Sequence, residues 1–338
     1  MNSAAGAFYP HATGEAPSAI PAVEAAAYFR CSLDDQPDHL VPRHQMAVSE
    51  QPSSSLILNP YCLQTRDGRL PPEVRDRTQL AKAFELDNGM LWIRDVGTAA
   101  LQPFWIDSEI REALDVTPLP QLVPAQIPER ILRCLRMSGV FVANDGSGRA
   151  QQWKTSVQRC SDEFQKNGYA PIAGLIHPFH VSALRRYYRR LIRTGQIELG
   201  DFQSSLRYVA HNEPVACFFH HELTAAISAI AGQQLKPSYV YFSSYTGGSE
   251  LKKHVDREQC EVSLTFCLDY SPEPERQTPW PIHLYTPGGK TTVFQALGDG
   301  LIYRGRELPH SRDRLTRGHS STSIFFHYVS ADFDGPLD

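Results

Sequence analysis

The chain has 338 residues, 33 Lys and Arg against 37 Asp and Glu, a formal net charge of −4 and seven cysteines. That length supplies one large core or two smaller ones, and mild acidity argues against general affinity for nucleic acid or membranes. No run approaches the ~18 apolar residues that span a bilayer, no basic leader opens the chain, and an odd cysteine count without C-x-x-C fits neither a disulfide framework nor structural zinc. The expectation is a cytoplasmic protein.

Residues 1–56 are rich in Ala, Pro and Ser and read as a loose or partly disordered lead-in, with 23–29 as a candidate short helix. Residues 89–94 and 101–106 read as strands. Asp107 can cap a helix through Ala113, 128–137 reads as a proline-opened helix, and 139–142 as a strand. This order predicts a small α+β, winged-helix-like module over about 80–148, suited to peptide docking or dimerisation and closed by a linker at 144–148. A second region, 153–338, follows. It opens with a helix at 161–167, a strand at 169–172 and a helix at 178–193. In that last helix Val181, Leu184, Tyr188 and Leu191 form an apolar stripe, and Arg185, Arg186, Arg189, Arg190 and Arg193 are expected on the solvated face. A further helix is expected over 221–231, ended by Gly232.

From Lys236 on, strands succeed one another at 238–245, 260–270, 280–285, 291–294, 300–303 and 320–329, separated by glycine turns. Many short strands behind a helical preface indicate an α+β chain with a sandwich or jelly-roll barrel backed by helices. Within 260–270, Val262, Leu264, Phe266 and Leu268 alternate with Ser263, Thr265, Cys267 and Asp269, as in a half-buried strand.

His254-Val-Asp256 sits between strand-like flanks, and on a strand residues two apart share a face. A second imidazole, from His310, can complete a triangle. Two histidines and a carboxylate with open positions opposite are the ligand set of non-haem Fe(II) oxygenases. Two other H-x-E pairs compete. His220 and Glu222 fall on a helix, where residues two apart diverge, leaving Glu222 to favour the helix start electrostatically. His211 and Glu213 are expected at the surface.

The pattern Tyr245-x-x-Gly248-x-x-Leu251-x-x-His254-x-Asp256, with Gly298-Asp299 leading to His310, resembles the Fe(II)/2-oxoglutarate-dependent dioxygenases, especially the prolyl-hydroxylase branch. The resemblance covers about 164–338. It implies a double-stranded β-helix in which His254, Asp256 and His310 hold iron and the open positions take 2-oxoglutarate and then O2. It further implies hydroxylation or a related oxidation of an unactivated C–H, with succinate and CO2 as coproducts; a carboxylate ligand disfavours halogenation. The substrate is expected to be an amino acid, a peptidyl side chain or a small natural product.

In that family an Arg or Lys nine to eleven residues after the second histidine holds the distal carboxylate of 2-oxoglutarate. Here those positions are His319, Ser320 and Ser321. Arg317 is the preferred anchor, with Ser321 or Ser323 adding hydroxyls; Arg314, Arg312, Arg304 and His327 are the alternatives. Tyr241 and Tyr245 are candidate phenol partners for the cosubstrate, against a role in packing, and Trp280 is read as core. Two other function classes stay open: a cupin-like metal-binding protein without oxidative activity, and a nucleic-acid demethylase, which the net charge and the lack of a basic stripe disfavour. Oligomeric state is left open.

Overall fold

The computed structural model describes residues 29–33, 56–64, 89–115, 117, 126–143, 148–201 and 204–338. The expected helix at 23–29 and most of the linker at 144–148 lie outside the described residues.

In the N-terminal part, β1 (Leu56–Leu58) pairs with β5 (Phe141–Ala143), while β2 (Cys62–Gln64), β3 (Met90–Arg94) and β4 (Leu101–Trp105) form a second small sheet. Helices α1 (Ser108–Asp115) and α2 (Glu129–Met137) connect the two. The anticipated order of elements is present, yet its strands do not share one sheet. Part of the lead-in is not loose either: Phe29, Cys31 and Leu33 are at most 1% exposed, and Ser32 bridges to Trp105.

Three longer helices follow: α3 (Arg149–Asn167), α4 (Pro178–Arg193) and α5 (Pro214–Ala231). The N-terminal strands pack on them in one continuous apolar cluster containing Trp92, Phe104, Leu184 and Phe218. Polar contacts fix the same junction. The His180 Nε2–H donates to the Pro103 carbonyl at 2.8 Å, and the Leu101 N–H donates to Glu222 Oε2 at 2.7 Å. Helix α5 begins seven residues before the expected start, at Pro214. Glu222 therefore lies mid-helix and buried, satisfying a strand edge rather than a helix terminus.

Glu213, expected at the surface, is buried as the cap of α5. It accepts from the Val215 and Ala216 N–H groups and from the Tyr187 and Tyr188 hydroxyls. The arginine face of α4 differs from expectation too. Arg185 is fully buried and bonded to Asp269 and Glu273, because the sheet supplies carboxylates on that side.

The C-terminal half is two antiparallel sheets. The larger runs β6 (Tyr169–Ile172), β13 (Gly300–Tyr303), β10 (Val262–Ser271), β15 (Ser320–Ser330), β8 (Leu235–Thr246), β7 (Arg207–His211). The smaller runs β12 (Gly289–Val293), β11 (Ile282–Thr286), β14 (His310–Arg312), β9 (Leu251–His254). From β8 to β15 the chain alternates between sheets, apart from the β11–β12 hairpin within the smaller one, which is the connectivity of a jelly roll. One face of the large sheet (Val240, Phe242, Leu264, Phe266, Ile324, Phe326) packs against the helices. The polar residues between them, including Ser243, Ser263, Thr265, Ser321 and Ser323, are just as buried, because they line the barrel interior. β10 is thus covered on both faces, not half-buried. No helix among the described residues is long and apolar enough to cross a membrane.

Candidate metal centre

Strands β9 and β14 pair with His254 directly opposite His310, so the two imidazole rings stand 4.3 Å apart. Each ring is oriented by the backbone two residues before it. His254 Nδ1 meets the Lys252 carbonyl at 2.8 Å and His310 Nδ1 meets the Leu308 carbonyl at 3.1 Å. A carbonyl only accepts, so both Nδ1 atoms carry the proton and both Nε2 lone pairs face inward.

Asp256 lies just past the end of β9, and its N–H donates to the Gly305 carbonyl at 2.9 Å. Its Oδ1 stands 3.6 Å from His254 Nε2 and 3.5 Å from His310 Nε2. Its Oδ2 accepts from the Ser263 hydroxyl at 2.8 Å. That hydroxyl has one proton, so the 2.9 Å contact with His327 is donated by His327 Nδ1–H. A relay from His327 through Ser263 therefore fixes the carboxylate while its other oxygen faces the imidazoles.

Bonds of about 2.1 Å to one ion place neighbouring ligand atoms about 3.0–3.5 Å apart, so this spacing fits a single small divalent cation. The donor set, two neutral imidazoles and a carboxylate, suits iron(II). His310 is buried, whereas the His254 side chain is 36% exposed, which leaves one side of the triad accessible.

Electrostatics agree with this geometry. Burial alone would raise the Asp256 pKa, but the neighbouring His254, His310 and His327 rings and the Ser263 hydroxyl hold it below the usual carboxylate range. Burial pulls His254 down, yet Asp256 and the Lys252 carbonyl leave it raised. His310 is lowered, chiefly by burial. Burial pushes His327 down to about 4, so it remains a neutral donor.

The other candidate residues are more scattered. Arg317 is exposed in the turn between β14 and β15, Arg314 is exposed beside Glu250, and Arg304 lies over the Phe164 ring. Arg312 is different. Two residues after His310 on the same short strand, it is buried at 5% exposure within the barrel. Its Nη1 donates to the Trp280 carbonyl at 2.7 Å, and its Nη2 donates to Gln295 Oε1 at 3.3 Å. The guanidinium lies 4.8 Å from the centre of the Trp280 ring. Among the described residues no carboxylate pairs with it, and burial lowers its pKa. A buried cation without a counter-ion is costly, and Cys267, Tyr245 and Tyr303 are its neighbours in the barrel. Ser321 is in register with Tyr245, and Ser323 with Ser243, whose buried Oγ has no hydrogen-bond partner among the described residues.

Tyr245 faces the interior with Cys267 and Trp280, and Arg207 Nη1 donates to its hydroxyl at 3.4 Å. Tyr241 turns instead to Asp201, donating to Oδ2 at 2.9 Å. His211 lies on β7 beside Tyr239 and pairs with Asp338, and His220 bonds the His327 carbonyl; neither joins the triad. Ser263, Gly305 and Gln295 were not singled out from sequence, and no motif marks them.

No protein-family model matches the chain, and no curated protein matches it. Similar solved structures do exist. One is SnoN, a non-haem α-ketoglutarate-dependent epimerase from nogalamycin biosynthesis, with 15% identity and a TM-score of 0.44 over 53% of this chain and 82% of that one. Another is a prolyl-4-hydroxylase from Pseudomonas putida, with 16% identity and a TM-score of 0.41 over 52% and 98%. A third is HygX from Streptomyces hygroscopicus, solved with nickel, 2-oxoglutarate and hygromycin B, with 17% identity and a TM-score of 0.42 over 52% and 88%. What the site can do rests on its own geometry.

Proposed function

We propose that the chain is an iron(II)- and 2-oxoglutarate-dependent oxygenase that oxidises an unactivated C–H bond of an amino acid, a peptidyl side chain or a small natural product. The observation that carries this reading is the convergence of His254, His310 and Asp256 on an accessible side of the barrel, with Asp256 Oδ1 3.6 Å from His254 Nε2 and 3.5 Å from His310 Nε2 and all three ligand atoms within 4.8 Å of one another. Iron(II) held there supplies the redox chemistry that converts 2-oxoglutarate and O2 to succinate and CO2 as the substrate is oxidised.

The chain's own residues bind and orient. Arg312 takes the distal carboxylate of 2-oxoglutarate, since a guanidinium matches a carboxylate bidentately and this one has no counter-ion among the described residues. Tyr245, Ser321, Ser323 and Ser243 offer hydroxyl donors around it. Trp280, Leu297 and Leu315 exclude water from that end of the barrel. The Ser263–His327 pair keeps the Asp256 carboxylate in place as a ligand.

The test is succinate formation from 2-oxoglutarate by iron-loaded protein in air. Wild type is expected to turn over. His254→Ala and Asp256→Ala are expected to be inactive, and Arg312→Ala to raise the KM for 2-oxoglutarate about 100-fold, while Arg317→Ala stays within about twofold. Full turnover by His254→Ala would remove the assignment. A raised KM in Arg317→Ala, with Arg312→Ala unaffected, would move the anchor to the turn.

A further inference from the structure

The helix side of the large sheet carries a cavity, separated from the barrel interior by the sheet itself. It is a cleft of about 330 Å³ between the C-terminal half of α4 and the ends of β8, β10 and β15. Arg185, Arg189 and Arg193 bring three guanidinium groups to it. Asp269 accepts from Arg185 Nε at 2.9 Å and from Arg189 Nη2 at 2.8 Å, and Glu273 accepts from Arg185 Nη2 at 3.0 Å. Two carboxylates thus face three guanidiniums, and Arg193, exposed at the rim, makes no ion pair with a described residue.

At the buried end, Ser244 Oγ and Thr322 Oγ1 are 2.8 Å apart. That bond uses one hydroxyl proton of the two, leaving the other to donate into the cleft. Tyr188, Ile192 and Leu268 supply an apolar wall. Donors, one excess positive charge and an apolar wall together select an acceptor that is anionic at one end and apolar at the other.

We propose that this cleft binds a small organic oxyanion, a carboxylate or phosphate monoester on a short apolar body, at a site distinct from the metal centre. On β8 and β15 the residues lining the cleft (Ser244, Thr322) alternate with those lining the barrel (Ser243, Tyr245, Ser321, Ser323), so the two sites lie on opposite faces of the same strands.

The experiment is isothermal titration of the full chain with phenyl phosphate and, separately, with benzoate, the pair deciding which oxyanion is preferred. Saturable binding of at least one is expected, weakening with added salt and about tenfold weaker in Arg193→Ala and in Thr322→Val. Arg193 is exposed, so its removal leaves the fold intact and decides the matter even if Thr322→Val fails to fold. Absence of saturable binding of both probes at millimolar concentration overturns the proposal, as does equal binding by wild type and Arg193→Ala. Iron binding, measured alongside, is expected to be unchanged in both variants, which keeps this site separate from the oxygenase reading.

Discussion

Asp256 owes its position to a glycine. A Cβ added at Gly305 would stand 2.5 Å from Asp256 Oδ2, 2.5 Å from the Cys260 carbonyl and 2.6 Å from Ser263 Oγ. None of these is the far end of a long flexible chain, so the Asp256 carboxylate and the Ser263 hydroxyl would have to move apart. Gly305→Ala is therefore expected to cost about 1–3 kcal/mol of stability and to weaken iron binding about tenfold or more; denaturant unfolding and metal titration read the two effects. At this scale the cluster was legible from the His254-Val-Asp256 spacing beside strand-like flanks, although the strand ends at His254 and the Asp256 N–H bond to the Gly305 carbonyl sets where the carboxylate lies. The rule that residues two apart on a strand share a face, applied to His310 and Arg312, points to the buried guanidinium. Reasoning from loop length favoured Arg317 instead, and loop length says nothing about burial.

Among the elements, those with strong apolar periodicity were readable: α4 at Pro178–Arg193, β13 at Gly300–Tyr303, and β15 beginning at Ser320. The strands carrying the candidate metal-binding histidines were not. β9 reads Leu-Lys-Lys-His and β14 reads His-Ser-Arg, too short and too polar to announce a strand; they pair with each other, and β14 also pairs with β11. The N-terminal part shows the converse failure. Its elements were visible, but their dependence on α4 and α5 was not, because shared burial leaves no local pattern. Deleting residues 1–145 would strip Phe29, Trp92 and Phe104 from Phe218, Phe219 and His180. The truncated chain is expected to lose cooperative unfolding and near-ultraviolet circular dichroism. A truncated chain that melts cooperatively at the wild-type temperature would show that the barrel stands alone.

For the molecule as a whole, buried neutral histidines set the acid limit. Burial depresses His177 to about 4, and His180 and His220 to about 3. Each donates Nε2–H to a backbone carbonyl of another element: Met137, Pro103 and His327 respectively. An unfolded chain takes up these protons near pH 6.5, while the native state refuses them until well below. Stability is thus complete above about pH 6.5 and falls with acidification, by up to about 1.4 kcal/mol per pH unit for each histidine, until the folded values near 3–4 are reached. Thermal melts should hold level from pH 7.5 to about 6.5 and then fall steadily to pH 5; a profile flat down to pH 5 would mean that these rings are solvated.

The oxygenase reading depends finally on one ion. Anaerobic equilibrium dialysis of iron(II) measures it directly: wild type is expected to bind one equivalent per chain, and Asp256→Ala and His310→Ala essentially none. Undiminished iron binding by either variant would contradict the account.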